Sequence, residues 1–347
     1  MLSRIHTAVC SGIEGRHVII ETDLSSGLPQ VNLTGLAGTM VMESKERIKS
    51  AIQHSGYDYP RTRVTVNLTP AAIRKSGTHL DLPIAVSMLA AMRYVDTSET
   101  DGFGLLGELS LDVRIAPVSG VLPMVLQLTK EGIRKIVVPE ANTAEAAMVA
   151  DAEVYGAATL RDCLDIINVK DTRERSRVQS AAETMLSDHR GLDFADIRGQ
   201  ENAKRALTIA AAGKHALLMV GNPGCGKTML ARRLPTILPE MTEAETLEDT
   251  IIYSVMGKLR SGESLVRERP FRTPHHTIGR AGLLGGGAIP VPGEITLAHN
   301  GVLFTGESPF FRQKLIAEAK ETAETRAFSA SWVSERWSMI WDARERP

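Results

Sequence analysis

Cysteine, net charge and long apolar runs are all scarce in this sequence of 347 residues. Its three cysteines, Cys10, Cys163 and Cys225, are odd in number and lack the spacing of metal ligands, so they predict free thiols in a reducing cytosol. A formal net charge of −1 excludes a generally basic nucleic-acid-binding protein, so a nucleic-acid partner would have to meet a local patch. Apolar runs such as 82–92 are too short to span a membrane, and residues 1–6 lack the apolar core of an export signal. We expect a cytoplasmic protein with no membrane partner.

The chain is long enough for two domains, and its composition changes between them. Residues 1–166 alternate between β-rich and helical patterns, which predicts a compact α/β domain; the strands are expected at 17–22, 30–36, 64–68 and 136–138, and the helices at 41–54, 81–92 and 143–150. Residues 167–191 are charged and polar without an apolar period, which predicts a linker. A second domain is expected over 192–311.

Residues 221–228 match the phosphate-binding pattern G-x-x-x-x-G-K-[ST]. They follow the apolar run 216–220, so strand, glycine loop and helix are predicted in the order that such a loop requires. The backbone amides would surround the β-phosphate, Lys227 would reach the β/γ oxygens, and Thr228 would hold Mg²⁺. The alternative is a chance glycine turn. We predict a nucleoside triphosphate with Mg²⁺, bound by Gly221, Asn222, Pro223, Gly224, Cys225, Gly226, Lys227 and Thr228; the family resemblance described next implies that it is ATP.

Several further motifs occur in a fixed order along the chain. They lie at residues 27–29, 66–71, 81–85, 197–200, 269–276, 285–287 and 292–304. Together with the glycine loop they resemble the magnesium-chelatase-like AAA+ ATPases of the ComM/YifB type, over residues 1 to about 304. The resemblance implies a Lon-protease-like N-terminal α/β domain followed by a P-loop AAA+ domain with a parallel sheet. It also implies an ATP-driven hexameric ring of identical chains that acts on DNA, moving branches while imported strands are integrated.

The Lon resemblance raises the alternative of a peptidase, because Lon proteases use a serine nucleophile activated by a lysine. Alignment of residues 81–85 with the Lon nucleophile segment places Ile84 at the serine position. Alignment of residues 107–109 and 117–122 with the second segment places Leu122 at the lysine position. Neither side chain offers a nucleophile or a base, so we expect a non-catalytic scaffold or interaction domain.

Two further features of the AAA+ part each have two interpretations. The resemblance assigns Gly199 and Gln200 to the segment that closes over the adenine, with residues 201–212 as the following helix; the alternative is an ordinary helix entry. Cys225 lies within the glycine loop, where a thiol could make nucleotide binding sensitive to oxidation. The simpler interpretation is a small loop residue without a switching role.

Residues 258–280 are rich in basic side chains, with six cations against Glu263 and Glu268. This run precedes the flexible glycines 285–287, so it could contact phosphates as a pore loop of the ring, as family insertions do. The alternative is a solvated face with turn glycines. The adjacent His275 and His276 lack a nearby third ligand, which argues against a metal site. The six cations are Lys258, Arg260, Arg267, Arg269, Arg272 and Arg280.

ATP hydrolysis also needs an acidic residue beside Mg²⁺ and a glutamate that polarises the attacking water. The strand expected at 301–304 should continue with the family's Leu-Asp-Glu, but here Thr305, Gly306 and Glu307 follow. Glu307 falls on the catalytic glutamate, whereas Gly306 replaces the aspartate and has no carboxylate. We therefore expect poor hydrolysis.

The likeness to the family is expected to end after Phe311, leaving residues 312–347 as an atypical tail. This tail contains a charged, helical-looking run at 314–326 and all three tryptophans, Trp332, Trp337 and Trp341. We expect that the reading frame is interrupted near residue 305 and that the later sheet strands are absent, so the AAA+ domain is incomplete. A docking tail is the alternative. Two functions stay open: a ring ATPase that remodels DNA, and an inactive nucleotide-binding fragment that acts through protein contacts.

Overall fold

A computed structural model describes residues 2–73, 75, 77–168, 192–259, 265–275, 277–286, 291–305 and 338–343. Its contacts divide the chain into two compact units. Unit 1 comprises Met1–Glu183 with Gly257–Ser264, and unit 2 comprises Thr184–Met256 with Leu265–Pro347. The expected linker lies almost entirely outside the described residues. Among the residues that are described, no helix combines the length and the apolar character needed to cross a membrane.

Unit 1 is built on a mixed sheet of seven strands. Its main strands are β1 (Leu2–Ser11), β2 (Glu14–Ser25), β3 (Gln30–Thr34), β4 (Arg63–Thr69), β5 (Phe103–Leu105), β8 (Lys135–Pro139) and β9 (Glu153–Ala157), and β6 (Glu108–Leu109) pairs separately with β7 (Ile115–Ala116). The spatial order is β3-β4-β2-β1-β5-β8-β9. Strands β1, β2 and β4 are joined by antiparallel pairings, and the remaining pairings are parallel.

Helices cover the sheet of unit 1. They are α1 (Thr39–His54), α2 (Asp81–Ala91), α3 (Thr97–Thr100), α4 (Val121–Lys130), α5 (Thr143–Ala146) and α6 (Leu160–Asn168). Every residue of α2 is buried, and α1, α2 and α6 share one hydrophobic core with the strands. Ile84 lies in α2 and Leu122 in α4, and both are buried apolar side chains. Packing therefore accounts for the apolar character of these two residues.

The pattern-based predictions for unit 1 are confirmed for all four strands and for the helices at 41–54 and 81–92. The helix predicted at 143–150 is wrong in its length, because α5 ends at Ala146. The carbonyl oxygens at the end of α5 accept hydrogen bonds from residues only three positions later, as in a 3₁₀ turn. Met148 N–H donates to Glu145 O, and Val149 N–H donates to Ala146 O. This shortening lets the chain turn into β9.

Gly35 provides a test of the packing between β3 and β4. Its φ is +89°, and a Cβ added there would lie 2.1 Å from Leu68 O. We expect Gly35→Ala to lower the free energy of unfolding of unit 1 by about 3 kcal/mol, because backbone strain and overlap with a sheet carbonyl act together. Thermal unfolding followed by circular dichroism measures the loss, and amide hydrogen exchange in β4 assigns it to this unit.

Gly12 is the matched control, since its φ is +62° but an added Cβ would meet no atom within 4 Å. Gly12→Ala should lose only about 1 kcal/mol, the cost of the left-handed backbone alone. Equal losses in the two variants would contradict the role assigned to the contact with Leu68.

Unit 2 contains a parallel sheet with the spatial order β10-β15-β14-β11. The strands are β10 (Leu217–Val220), β11 (Phe271–Arg272), β14 (Val302–Thr305) and β15 (Ser338–Ala343), and β12 (Gly285–Gly286) pairs with β13 (Val291–Pro292) as a small hairpin. The helices are α7 (Glu201–Gly213), α8 (Lys227–Arg233), α9 (Glu243–Val255), α10 (Arg280–Leu284) and α11 (Glu294–Leu297). The strands predicted at 216–220 and 301–304 and the helix predicted at 201–212 are confirmed.

The position of β15 corrects the expectation that no later strand completes this sheet. Residues 338–343 lie between β10 and β14 and pair in parallel with both. The run Ser-Met-Ile-Trp-Asp-Ala contains Ile and Trp, which favour strands, but the charged residues around it hide the pattern in the sequence. The tail therefore contributes a central strand to unit 2. The helical run expected at 314–326 and Trp332 and Trp337 lie outside the described residues.

Candidate nucleotide-binding site

The glycine loop, residues 221–226, joins the end of β10 to the start of α8. Gly224 and Gly226 have φ values of +81° and +93°, a conformation that glycine adopts without steric cost. A Cβ added at Gly224 would meet no protein atom within 4 Å, so the loop faces open space there. The sequence thus folds into the strand, loop and helix that its motif predicts.

Lys227 is buried at the first position of α8, and its ammonium points back into the loop. It donates hydrogen bonds to Gly221 O at 2.7 Å and to Asn222 O at 3.0 Å, and its Nζ lies 3.8 Å from Cys225 Sγ. The ammonium is therefore hydrogen-bonded to two carbonyl oxygens at the mouth of the loop. Charged phosphate oxygens would be stronger acceptors for the same N–H groups.

The neighbouring candidate residues are accessible to solvent. Thr228, Cys225, Asn222 and Pro223 are exposed, and Gly221 and Gly226 are partly buried. The exposed hydroxyl of Thr228 is a hard oxygen donor of the kind that Mg²⁺ accepts. These groups can therefore meet a ligand without rearrangement of the core.

Gly199 and Gln200 lie next to the glycine loop, as the resemblance implies. Both have left-handed φ values, +66° and +58°, and they lead into α7. Gln200 Nε2 donates to Cys225 O at 3.4 Å. The segment expected to close over the adenine is therefore joined to the loop expected to hold the phosphates.

A hydrophobic cluster packs against the helix and the strand that flank this loop. Buried residues of α7, α8 and β14 pack together in it: Leu207, Ala211, Leu230, Ala231, Val302 and Phe304. Phe271 of β11 stacks on Phe304 with ring centroids 6.1 Å apart. Because the helix that carries Lys227 is seated in the same cluster as β14, the positions of the two elements are fixed relative to each other.

The parallel sheet brings the two predicted catalytic segments to one edge. Leu218 of β10 and Thr305 of β14 both lie opposite Trp341 of β15. Since parallel strands end at the same edge, β14 ends on the side of the sheet from which the glycine loop departs. Gly306 and Glu307 themselves lie outside the described residues, so Glu307 stays a predicted catalytic residue.

The structure corrects the pore-loop interpretation for two of the basic residues. Arg269 is almost completely buried and pairs with Glu245 at 3.1 Å, and Arg272 forms a two-pronged pair with Glu294 at 2.6 and 2.7 Å. Both guanidinium groups hold the fold of unit 2 together instead of facing a channel. Lys258, Arg267 and Arg280 are exposed, and Arg260 lies outside the described residues.

Among the described residues, the contacts of the histidine pair at 275–276 do not form a metal site. His275 is exposed and its Nδ1 lies 2.8 Å from Thr277 Oγ1. His276 is outside the described residues. Over the described ranges, no group of three or more histidine, cysteine or acidic side chains could hold a metal ion.

Sequence reasoning missed the acidic helix α9 and the corner that it holds, His299–Asn300, immediately before β14. His299 Nε2 lies 3.1 Å from Glu248 Oε2, and Asn300 Nδ2 donates to Asp249 Oδ1 at 3.2 Å. One signal for the start of this helix was present in the sequence. Thr242 and Glu245 have the spacing of a capping box, and the structure forms both of its hydrogen bonds.

Two family models match the chain, one in each unit. The family described as "Magnesium chelatase, subunit ChlI" matches residues 193–338, and "Subunit ChlI of Mg-chelatase" matches residues 20–142. The first match runs past the expected end of the likeness near residue 311, so that boundary was set too early.

Comparison with curated proteins gives the same result over almost the whole chain. Competence protein ComM of Haemophilus influenzae is 40% identical over 93% of this chain and 64% of its own length, and the uncharacterized protein YifB of Escherichia coli is 39% identical over 93% and 63%. Lon protease of Protochlamydia amoebophila is 27% identical over 40% of this chain and 18% of its own. The chain thus spans less than two thirds of ComM and YifB. It belongs to the magnesium-chelatase ChlI-like family that includes ComM and YifB.

Proposed function

We propose that this chain binds ATP with Mg²⁺ at residues 221–228, with Gly199 and Gln200 beside the base. The observation that carries the proposal is the buried Lys227 ammonium, held 2.7–3.0 Å from two carbonyl oxygens of a glycine loop that opens to solvent. A buried cation at the mouth of an open loop favours an anionic ligand. The glycines, the lysine and the exposed Thr228 together fit a triphosphate with its metal ion.

Each group in the site has a distinct role in this proposal. The loop amides and Lys227 would hold the β- and γ-phosphates, and Thr228 would be a ligand of Mg²⁺. When bound, Mg²⁺ would neutralise charge on the phosphates during their hydrolysis. Glu307 would orient the attacking water. Gly306 supplies no carboxylate at the metal side, so we propose that turnover is slow in this chain.

The family also supports a proposal about the biological role. We propose that the chain acts in the cytoplasm in a homo-oligomeric, hexameric ring that remodels DNA by branch migration during natural transformation. The support is the match to a relative named as a competence protein. Within the basic run, the exposed residues Lys258, Arg267 and Arg280 could contact DNA phosphates.

A second candidate is a nucleotide-binding scaffold that works only through protein contacts. The missing carboxylate at Gly306 favours it, because hydrolysis requires acidic help at the metal. Ile84 and Leu122, at the positions predicted for a peptidase pair, are buried apolar residues, and unit 1 would act by contacts in this proposal. The rate of ATP turnover, measured with and without DNA, separates the two candidates. Only the ring ATPase requires ATP hydrolysis for its function.

Titration with a fluorescent ATP analogue in the presence of Mg²⁺ tests nucleotide binding directly. We expect saturable binding to the wild-type chain and about 30-fold weaker binding to Lys227→Ala, because the variant loses charge-assisted hydrogen bonds worth about 2 kcal/mol. Arg232→Ala is the matched control, since it removes an exposed cation from the same helix.

The control should bind as tightly as the wild-type chain. Equal weakening by both substitutions would show that general charge, and not the loop lysine, attracts the nucleotide. Failure of the wild-type chain to bind would refute the proposed function.

A further inference from the structure

Three carboxylates of α9 face the His299–Asn300 corner that precedes β14, but they are not equivalent. Glu245 pairs with Arg269 at 3.1 Å, and Glu248 lies 3.1 Å from His299. Asp249 is fully buried, and within the described part of the chain it forms no ion pair. A buried carboxylate without a cationic partner is costly, and the usual relief is to bind a proton.

The orientation of the Asn300 amide follows from its surroundings. Its Nδ2 lies 3.2 Å from Asp249 Oδ1, 3.4 Å from Glu248 Oε2 and 3.5 Å from Glu245 O. All three neighbours are acceptors, so the amino group and not the carbonyl oxygen must face them. Asn300 Oδ1 does not bond to any of these three acceptors and still needs a donor.

The two side chains each keep one unsatisfied oxygen. Asp249 Oδ2 and Asn300 Oδ1 are both buried without a hydrogen-bond partner among the described residues. Two orphan acceptors on a pair of side chains that already share one hydrogen bond would cost several kcal/mol. One hydrogen placed on Asp249 Oδ2 would satisfy both atoms, because it turns that oxygen into a donor toward Asn300 Oδ1.

We propose that Asp249 is a neutral carboxylic acid at physiological pH and forms a reciprocal acid–amide pair with Asn300, which makes the corner before β14 sensitive to pH. Asp249 O–H donates to Asn300 Oδ1, and Asn300 Nδ2 donates to Asp249 Oδ1. The pair ties α9 to the strand whose far end leads toward residues 306 and 307. The Asp249–Asn300 pair belongs to the fold of unit 2, and its formation does not depend on nucleotide binding.

The groups around Asp249 act in both directions on its ionisation. Burial raises the pKa of Asp249 to about 8, the Asn300 hydrogen bond and Arg269 oppose the rise, and Glu248 and Glu245 add to it. His299 faces the same site through Glu248, Lys214 lies 4.0 Å from Glu245, and Tyr253 lies one turn further along α9. Because the pKa of Asp249 is higher in the folded than in the unfolded state, protonation of Asp249 stabilises unit 2. This stabilisation is fully present at pH values below the pKa of the unfolded state, which is about 4. That stabilisation is lost as pH rises toward 8.

Substitution of Asp249 by asparagine tests the proposal, because an amide can form the same reciprocal pair without a proton. We compare the unfolding equilibrium constants of unit 2 in the wild-type chain and in Asp249→Asn. The ratio of the wild-type constant to the variant constant should rise by up to tenfold per pH unit between pH 5 and 7.5. The ratio should level off above pH 8. Urea unfolding of the full chain, assigned to unit 2 by hydrogen exchange in α9, gives both constants. Glu243→Gln, an exposed acid on the same helix, is the control and should stay parallel to the wild type.

A second measurement keeps the test valid if the variant does not fold. In wild-type protein with ¹³C-labelled aspartate side chains, one carboxyl resonance should titrate near pH 8 and remain protonated at pH 7. It is distinguishable from Asp81, whose pKa burial raises to about 6 against the opposing effect of Arg47. A constant unfolding ratio across the pH range, or the absence of a carboxyl titrating near 8, would overturn the proposal.

Discussion

Replacement of Arg269 by alanine is expected to lower the free energy of unfolding of unit 2 by about 3–5 kcal/mol, because it removes the nearer of two cations from a buried carboxylate and leaves only Lys214 among the described residues, 4.0 Å away. The side chains of Arg269 and Glu245 are only 9% and 7% exposed, so water cannot replace the lost contact. Burial acts to raise the pKa of Glu245, but the Thr242 amide and Arg269 hold it below its ordinary value. Glu245 is therefore charged at neutral pH and depends on this cation.

The guanidinium of Arg269 also satisfies backbone groups from separate segments. It donates to Pro239 O at 2.6 Å, to Glu240 O at 3.2 Å and to Asn300 O at 2.6 Å. These carbonyls belong to the loop before α9 and to the corner before β14. One side chain thus joins the segments around the sheet, and its loss removes the donor to all three carbonyls.

Urea unfolding with hydrogen exchange in α9 and β14 measures this effect. Arg267→Ala is the matched control, since Arg267 is exposed, carries the same charge and lies two residues away. It should change the stability by less than about 0.5 kcal/mol. A similarly small loss in Arg269→Ala would contradict the structural role of this guanidinium.

The basic run shows where sequence reasoning reaches its limit. Counting charges along residues 258–280 grouped Arg269 and Arg272 with the exposed cations, because the run holds few acids. Their partners are distant in sequence: Glu245 lies 24 residues earlier and Glu294 lies 22 residues later. Local charge balance cannot reveal pairs that only the tertiary fold brings together.

The glycine loop shows the opposite case. Residues 221–228 follow local rules for glycine, strand and helix, so their backbone path could be predicted without knowledge of distant contacts. The direction of the Lys227 ammonium and the bond from Gln200 to Cys225 needed the structure. Strand β15 was missed because its six residues carry no local turn signal. Only their pairing with β10 and β14 in the folded structure shows that they form a strand of this sheet.

Gly306→Asp is expected to raise the rate of ATP hydrolysis by about 100-fold. β10 and β14 end at one edge of the parallel sheet, so Thr305 lies at the edge from which the glycine loop departs. A carboxylate introduced there would help to hold Mg²⁺ beside the phosphates, a contribution of about 2.7 kcal/mol to the transition state. Phosphate release at saturating ATP, with and without DNA, measures the change.

Gly306→Asn separates charge from side-chain volume, because asparagine has nearly the size of aspartate but no negative charge. It should remain as slow as the wild-type chain, and Glu307→Gln combined with Gly306→Asp should return to that slow rate. If aspartate and asparagine gave the same turnover, the missing carboxylate would not be the limit on hydrolysis. The scaffold function would then gain support, provided that the wild-type chain binds nucleotide through Lys227.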